Sequence, residues 1–147
     1  MFKHILVPID GSELSTSTVK RAVAFGKDAG AKLTFYFAQA EYSMTLYSEA
    51  MTLDPAMPEK YSEITKQQAA KILSDAKLQA DQAGVSSATL TNVSNAPYLG
   101  IIDAAASSNC DLIFMASHGH CGLSSILLGS ETHKVLTHAS IPVLVYR

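Results

Sequence analysis

The chain has 147 residues, 48% of them hydrophobic and 16% charged, and its 11 Lys and Arg against 13 Asp and Glu leave a net charge of −2. This length and apolar content suit a single domain, residues 1–147, with a substantial core, and so balanced a charge offers no basic field to hold DNA or RNA. The apolar run at the start is too short for a secretory signal, and no stretch approaches the roughly 18 apolar residues of a membrane span. The expectation is therefore a cytosolic protein with no membrane partner.

Ile5-Leu6-Val7-Pro8-Ile9 is short, β-branched and closed by the turn pair Asp10-Gly11, which predicts a buried strand. Ser12 then offers an N-cap oxygen, and Val19, Ala22, Val23, Phe25 and Gly26 form the stripe of a helix that stops near Gly30. Leu33 to Ala38 reads as a second buried strand. Residues 41–58 show no sustained period, so this long irregular segment is either a lid or contact surface, or a poorly ordered insertion.

From Glu59, the residues Tyr61, Ile64, Ala69, Ile72, Leu73, Ala76, Ala80 and Ala83 share one helical face, and Gly84 supplies a stop. Alternation over Ala88 to Val93 predicts a half-exposed strand near a sheet edge. A third helix over Tyr98 to Ser108, a fourth strand over Leu112 to Ala116, a fourth helix over Ser130 to His138 and a fifth strand over Pro142 to Tyr146 complete the chain. Strands that alternate with helices predict an α/β fold, a five-stranded parallel doubly wound open sheet with helices on both faces. Ligands of such sheets bind beyond the carboxyl ends of the strands, where Asp10, Ala38 and Ala116–Gly119 fall.

The segment Met115-Ala116-Ser117-His118-Gly119-His120-Cys121-Gly122, followed by Leu128-Gly129-Ser130, has the makings of an anion cradle. Gly119, Gly122 and Gly129 let backbone approach a ligand, Ser130 reads as the helix cap, and the first amides of the helix, at Ser130, Glu131 and Thr132, point at any anion there. Each feature also has a purely structural reading, as a tight turn or a cap. Asp10 is likewise either a ligand to a sugar or base or an Asx-turn residue before Gly11, two compatible roles.

His118, His120 and Cys121 complete no recognised zinc spacing, and no metal site is predicted. Cys110 and Cys121 are expected as reduced thiols. P-loop, dinucleotide and hydrolase-elbow motifs are absent, as is any nucleophile–base pair, so no catalytic residue is assigned and any hydrolysis of a bound phosphate anhydride should be slow.

At these residues the chain resembles the universal stress protein family. ATP-binding members carry Gly, two residues, Gly, nine residues, then Gly and Ser or Thr; here Ala116 stands at the first glycine, Gly119 at the second, and Gly129-Ser130 closes the pattern. The likeness extends through Ile5 to Ser12, Asp111 to Ile113 and Ile141 to Val145, and is least over 41–58. It implies a Rossmann-like fold of the adenine nucleotide alpha hydrolase type and a stress-response protein that binds ATP, or ADP or AMP, with Mg or Mn alongside a triphosphate. Pro8, Asp10 and Ala38 would then surround adenine and ribose. Ala116, Ser117, His118, Gly119, His120, Gly122, Gly129, Ser130, Glu131 and Thr132 would surround the phosphates.

Three positions depart from the pattern: the added methyl of Ala116, His120 where the family often has Arg or Lys, and the negative charge of Glu131. They keep open a second reading, a dimeric interaction module without nucleotide. The apolar last strand, Val143 to Tyr146, is expected at a sheet edge, where pairing with a second copy would shield it.

Overall fold

The computed structural model describes residues 1–41, 55–118 and 128–147. In chain order the elements are β1 (His4–Pro8), α1 (Glu13–Ala29), β2 (Lys32–Gln39), α2 (Met57–Ala83), β3 (Ser87–Val93), α3 (Pro97–Ser107), β4 (Leu112–Ala116), α4 (Ser130–His138) and β5 (Val143–Tyr146). All strand pairs are parallel, and the spatial order β3-β2-β1-β4-β5 reverses direction between β1 and β4. This is the doubly wound sheet that the alternation of patterns predicts, with β5 on one edge and the half-exposed β3 on the other. Residues 42–54 and 119–127, which include most of the irregular segment and Gly119, His120, Cys121 and Gly122, lie outside the described residues.

The continuous apolar run of β1 serves two cores, because successive side chains leave a strand on opposite faces. Ile5 and Val7 join Val19, Ala22 and Val23 of α1 and Leu73, Ala76 and Ala80 of α2; Leu6 joins Tyr36, Ile101 and Ala104 of α3 and Val135 of α4. Among the described residues, no helix is long and apolar enough to cross a membrane.

Local chemistry sets the boundaries. Ser12 caps α1 by accepting the Ser15 N–H at 3.1 Å, and Gly30 and Gly84 end α1 and α2 in the left-handed region, with φ of 63° and 74°. Helix α2 begins at Met57, two residues before the expected Glu59, because Pro58 suits a first turn that has no use for its missing N–H. Helix α4 is capped by Gly129 and not by Ser130: Gly129 holds extended torsions (φ −57°, ψ 147°), which leaves Ser130 as the first helical residue.

At the amino-terminal edge of the sheet, the Asp111 carboxylate accepts the Lys3 and His4 N–H groups at 2.8 and 3.1 Å and clips the chain start to β4. Burial opposes its ionisation, but these donors prevail and hold it below the usual carboxylate range. His4 Nε2 lies 2.7 Å from Thr34 Oγ1, and burial, helped by Lys32, lowers its pKa from the ordinary 6.5. Cys110 is a free, buried thiol, pushed up to about 11 by burial and by Asp111, so it carries little thiolate at neutral pH.

The Tyr36 hydroxyl donates to Asn92 Oδ1 and lies where α3 carries Gly100; a Cβ on Gly100 would sit 2.2 Å from that oxygen. Burial, and then Asp103, push this phenol up to about 12, so it remains a donor throughout the physiological range.

Gly100→Ala should therefore cost about 1–3 kcal/mol of stability by overpacking against a buried, hydrogen-bonded ring. In urea titrations most of that cost should vanish when Gly100→Ala is placed in a Tyr36→Phe background, whereas an equal cost in both backgrounds would refute the contact. His4 binds its proton less readily folded than unfolded, so stability falls as pH drops below about 6.5 and levels off beneath the lowered folded value. Urea midpoints at pH 7.5 and 5.5 should show a decline that His4→Gln reduces; the same decline in the variant would exclude His4 as its source.

Candidate functional site

In a parallel sheet with helical crossovers, a crossover helix starts at the edge where the strands end, so the positive dipole ends of the four described helices converge on the carboxyl edge. There β1 and β4 part company: they pair only at Ile5↔Leu112 and Leu6↔Ile113, while β1 stays paired with β2 through Pro8↔Tyr36. The cause is local. Ile9 N–H faces β2, donating to Tyr36 O at 2.9 Å, so the preceding residue faces β4, and that residue, Pro8, has no N–H to extend the ladder. A crevice opens at the point where the winding reverses.

Around it stand Pro8 and Asp10 at the end of β1, Ala38 near the end of β2, Ala116 to His118 at the end of β4, and Gly129 to Thr132 at the start of α4. Asp10 adopts the Asx turn: its Oδ1 accepts the Ser12 N–H at 3.0 Å, and its own N–H donates to Ser15 Oγ at 3.1 Å. Ala116 lies in strand geometry opposite Tyr146, and among the described non-glycine residues only Asn109 has a positive φ, so alanine fits position 116 without backbone strain.

The β4–α4 junction is held by Ser117 and Thr132, whose polar groups turn inward. Ser117 is 2% exposed; its N–H donates to Tyr146 O, its carbonyl accepts the Gly129 N–H at 2.8 Å, and its Oγ lies 2.8 Å from His118 Nδ1. The Thr132 hydroxyl donates to the carbonyls of Ala116 (3.0 Å) and Ser117 (3.3 Å). Gly129 is favoured by proximity and not by its torsions, since a Cβ there would sit tightly, 3.1 Å from Ser117 O and 3.4 Å from His118 Cα.

The N-cap of α4, Gly129, has no side chain to offer its first amides, and among the described residues the buried His118 Nε2 has no hydrogen-bond partner. Glu131 does not point its charge into the cradle: Oε2 accepts the Tyr98 N–H at 2.8 Å and Oε1 meets Lys134 Nζ at 2.8 Å. Sequence reasoning placed a helix start near Tyr98 but missed Tyr98 and Lys134 as partners of Glu131.

On the rim, Glu41 Oε2 accepts from Asn95 Nδ2, which joins the loop after β2 to the loop before α3. A separate groove of about 630 Å³ runs between α1 and α2, bordered by Gly11, Thr16, Lys71 and Asp75 among others; no predicted site residue lines it. Among the described residues no group of three or more His, Cys, Asp or Glu could hold a metal ion.

The fold defines a doubly wound α/β protein whose candidate site lies at its switch point. Residues 1–147 match the profile of the Universal stress protein family, and the chain belongs to that family. It is 33% identical to the universal stress protein YxiE of Bacillus subtilis over 151 aligned positions, covering 100% of both chains. Among solved structures it resembles hypothetical protein MJ0577 of Methanocaldococcus jannaschii, with a TM-score of 0.81 and 26% identity over 99% of this chain and 95% of the other. A universal stress protein solved in complex with cAMP shares the fold, with a TM-score of 0.74 and 22% identity over 99% and 97% of the two chains.

Proposed function

We propose that the protein binds an adenine nucleotide in the crevice between β1 and β4 and acts in the stress response as a nucleotide-sensitive switch or adaptor. The observation that carries this reading is the β4–α4 junction, where the start of α4, headed by Gly129, and His118 Nε2, which has no hydrogen-bond partner among the described residues, both lie at the strand-end edge. A related protein of the same fold was solved with cAMP, an adenine nucleotide, which supports the ligand class.

In this reading Pro8, Asp10 and Ala38 flank the adenine and ribose, and the backbone of Ala116, Gly119, His120, Gly122 and Gly129 to Thr132 surrounds the phosphates. Ser117 and Thr132 shape the cradle from behind, because their side chains are spent on its backbone. Ala116 weakens the case little, since its extended backbone needs no glycine. ATP, ADP and AMP all remain in the ligand class, and Mg or Mn would accompany a triphosphate through the phosphate oxygens. Cytosolic placement belongs to the same reading.

The competing reading, an interaction module without nucleotide, is favoured by the internal satisfaction of Ser117, Gly129 and Thr132, which lets the junction keep its shape unaided. Thermal denaturation separates the two. With a dissociation constant near 10 μM, 1 mM nucleotide adds about 2.7 kcal/mol, a melting shift of about 5 to 10 °C, which Gly129→Val should abolish. No shift of the wild-type protein with ATP, ADP or AMP would sink the nucleotide reading.

We further propose that two copies associate through β5, an edge strand whose four residues are only partly buried. Light scattering at micromolar concentration should give twice the mass of one chain; the mass of a single chain would overturn this.

A further inference from the structure

We propose that Glu131 is a positioning residue that ties the start of α4 to the start of α3 and so sets the direction of the α4 amides. This rests on the nucleotide reading of the same edge. The argument begins with the donors in the first turn of α3. Pro97 has none, and Leu99 and Gly100 N–H groups both donate back to Ala96 O, at 3.0 and 3.2 Å. That leaves Tyr98 N–H. The local cap, Ala96, has no polar side chain, and the Ser94 hydroxyl is engaged with Ala96 itself. The acceptor arrives from 33 residues away, as Glu131 Oε2 at 2.8 Å.

Glu131 is also the second residue of α4, where a carboxylate complements that helix's own dipole. One negative charge therefore serves two helix starts on the same edge. It fills the α3 start with the protein's own anion and draws that charge away from the α4 amides. Lys134 closes the arrangement: its Nζ lies 2.8 Å from Glu131 Oε1 and 5.4 Å from the centre of the Tyr98 ring. Both charged side chains are substantially exposed, so the ion pair itself adds little, and the bond to the Tyr98 N–H carries the linkage.

The test compares Glu131→Ala with Glu131→Gln in the full chain, because glutamine keeps a carbonyl acceptor for Tyr98 N–H and loses only the charge. Two quantities are read: hydrogen exchange of the Tyr98 amide by NMR, and dissociation constants for AMP and ATP by calorimetry. Expected for Glu131→Ala is about tenfold faster Tyr98 exchange together with about tenfold weaker binding of both nucleotides. Glu131→Gln should restore both to within about twofold of wild type, a rescue that a purely electrostatic role would not allow.

If both variants bind ATP more tightly than wild type while AMP is unaffected, Glu131 acts by repelling phosphate and the positioning role is overturned. Unchanged Tyr98 exchange in Glu131→Ala overturns it as well. Should wild-type protein bind no nucleotide, the nucleotide reading fails by itself, and the exchange measurement still decides whether Glu131 caps α3.

Discussion

Everything at the candidate site depends on all five strands running in one direction. Parallel neighbours cannot be joined by a tight turn, so each connection is a helix that begins where one strand ends and returns to the opposite edge. The strand ends and the positive ends of the helix dipoles are thereby gathered on a single edge, before any particular side chain is chosen. Reversal of the winding between β1 and β4 leaves one gap in that edge, and Pro8 widens it by withholding the N–H that would have continued the ladder. Backbone direction and one missing hydrogen-bond donor make the crevice.

Polar side chains beside the crevice act as its supports. Ser117 and Thr132 are polar residues beside the candidate site, yet their hydrogen bonds run to Tyr146, His118, Ala116 and the Ser117 carbonyl. They fix how closely α4 approaches β4, a distance that leaves little room for a side chain at position 129. Glu131 makes the same point for charge: at the head of α4 it would oppose an anion if turned inward, but the unsatisfied donor of α3 and the Lys134 ammonium draw its carboxylate sideways.

The opposite edge is held together differently, by clips between chain segments distant in sequence. Asp111 receives two N–H groups from the chain start, and His4 reaches Thr34 of the neighbouring strand. These interactions bury or half-bury titratable groups and so make stability depend on pH, whereas the edge that carries the candidate site is built chiefly from backbone groups. Stability chemistry and recognition chemistry thus occupy opposite ends of the same strands.

What the sequence by itself determined was the order and kind of the elements, the two edge strands and the family, because local patterns carry that information: buried strands as short apolar runs, helices as 3.6-residue stripes, boundaries as Gly30, Gly84 and Ser12. Its errors were local as well, such as the cap of α4, where a serine beside a glycine favoured the wrong residue. Which polar groups face the crevice was decided by tertiary structure alone. Nothing near Glu131 in sequence shows that Tyr98 lacks a cap, and nothing near Ser117 shows that Gly129 and Thr132 will consume its carbonyl. Hydrogen-bond satisfaction is an accounting over groups brought together by the fold, so it can be read only once the partners stand side by side.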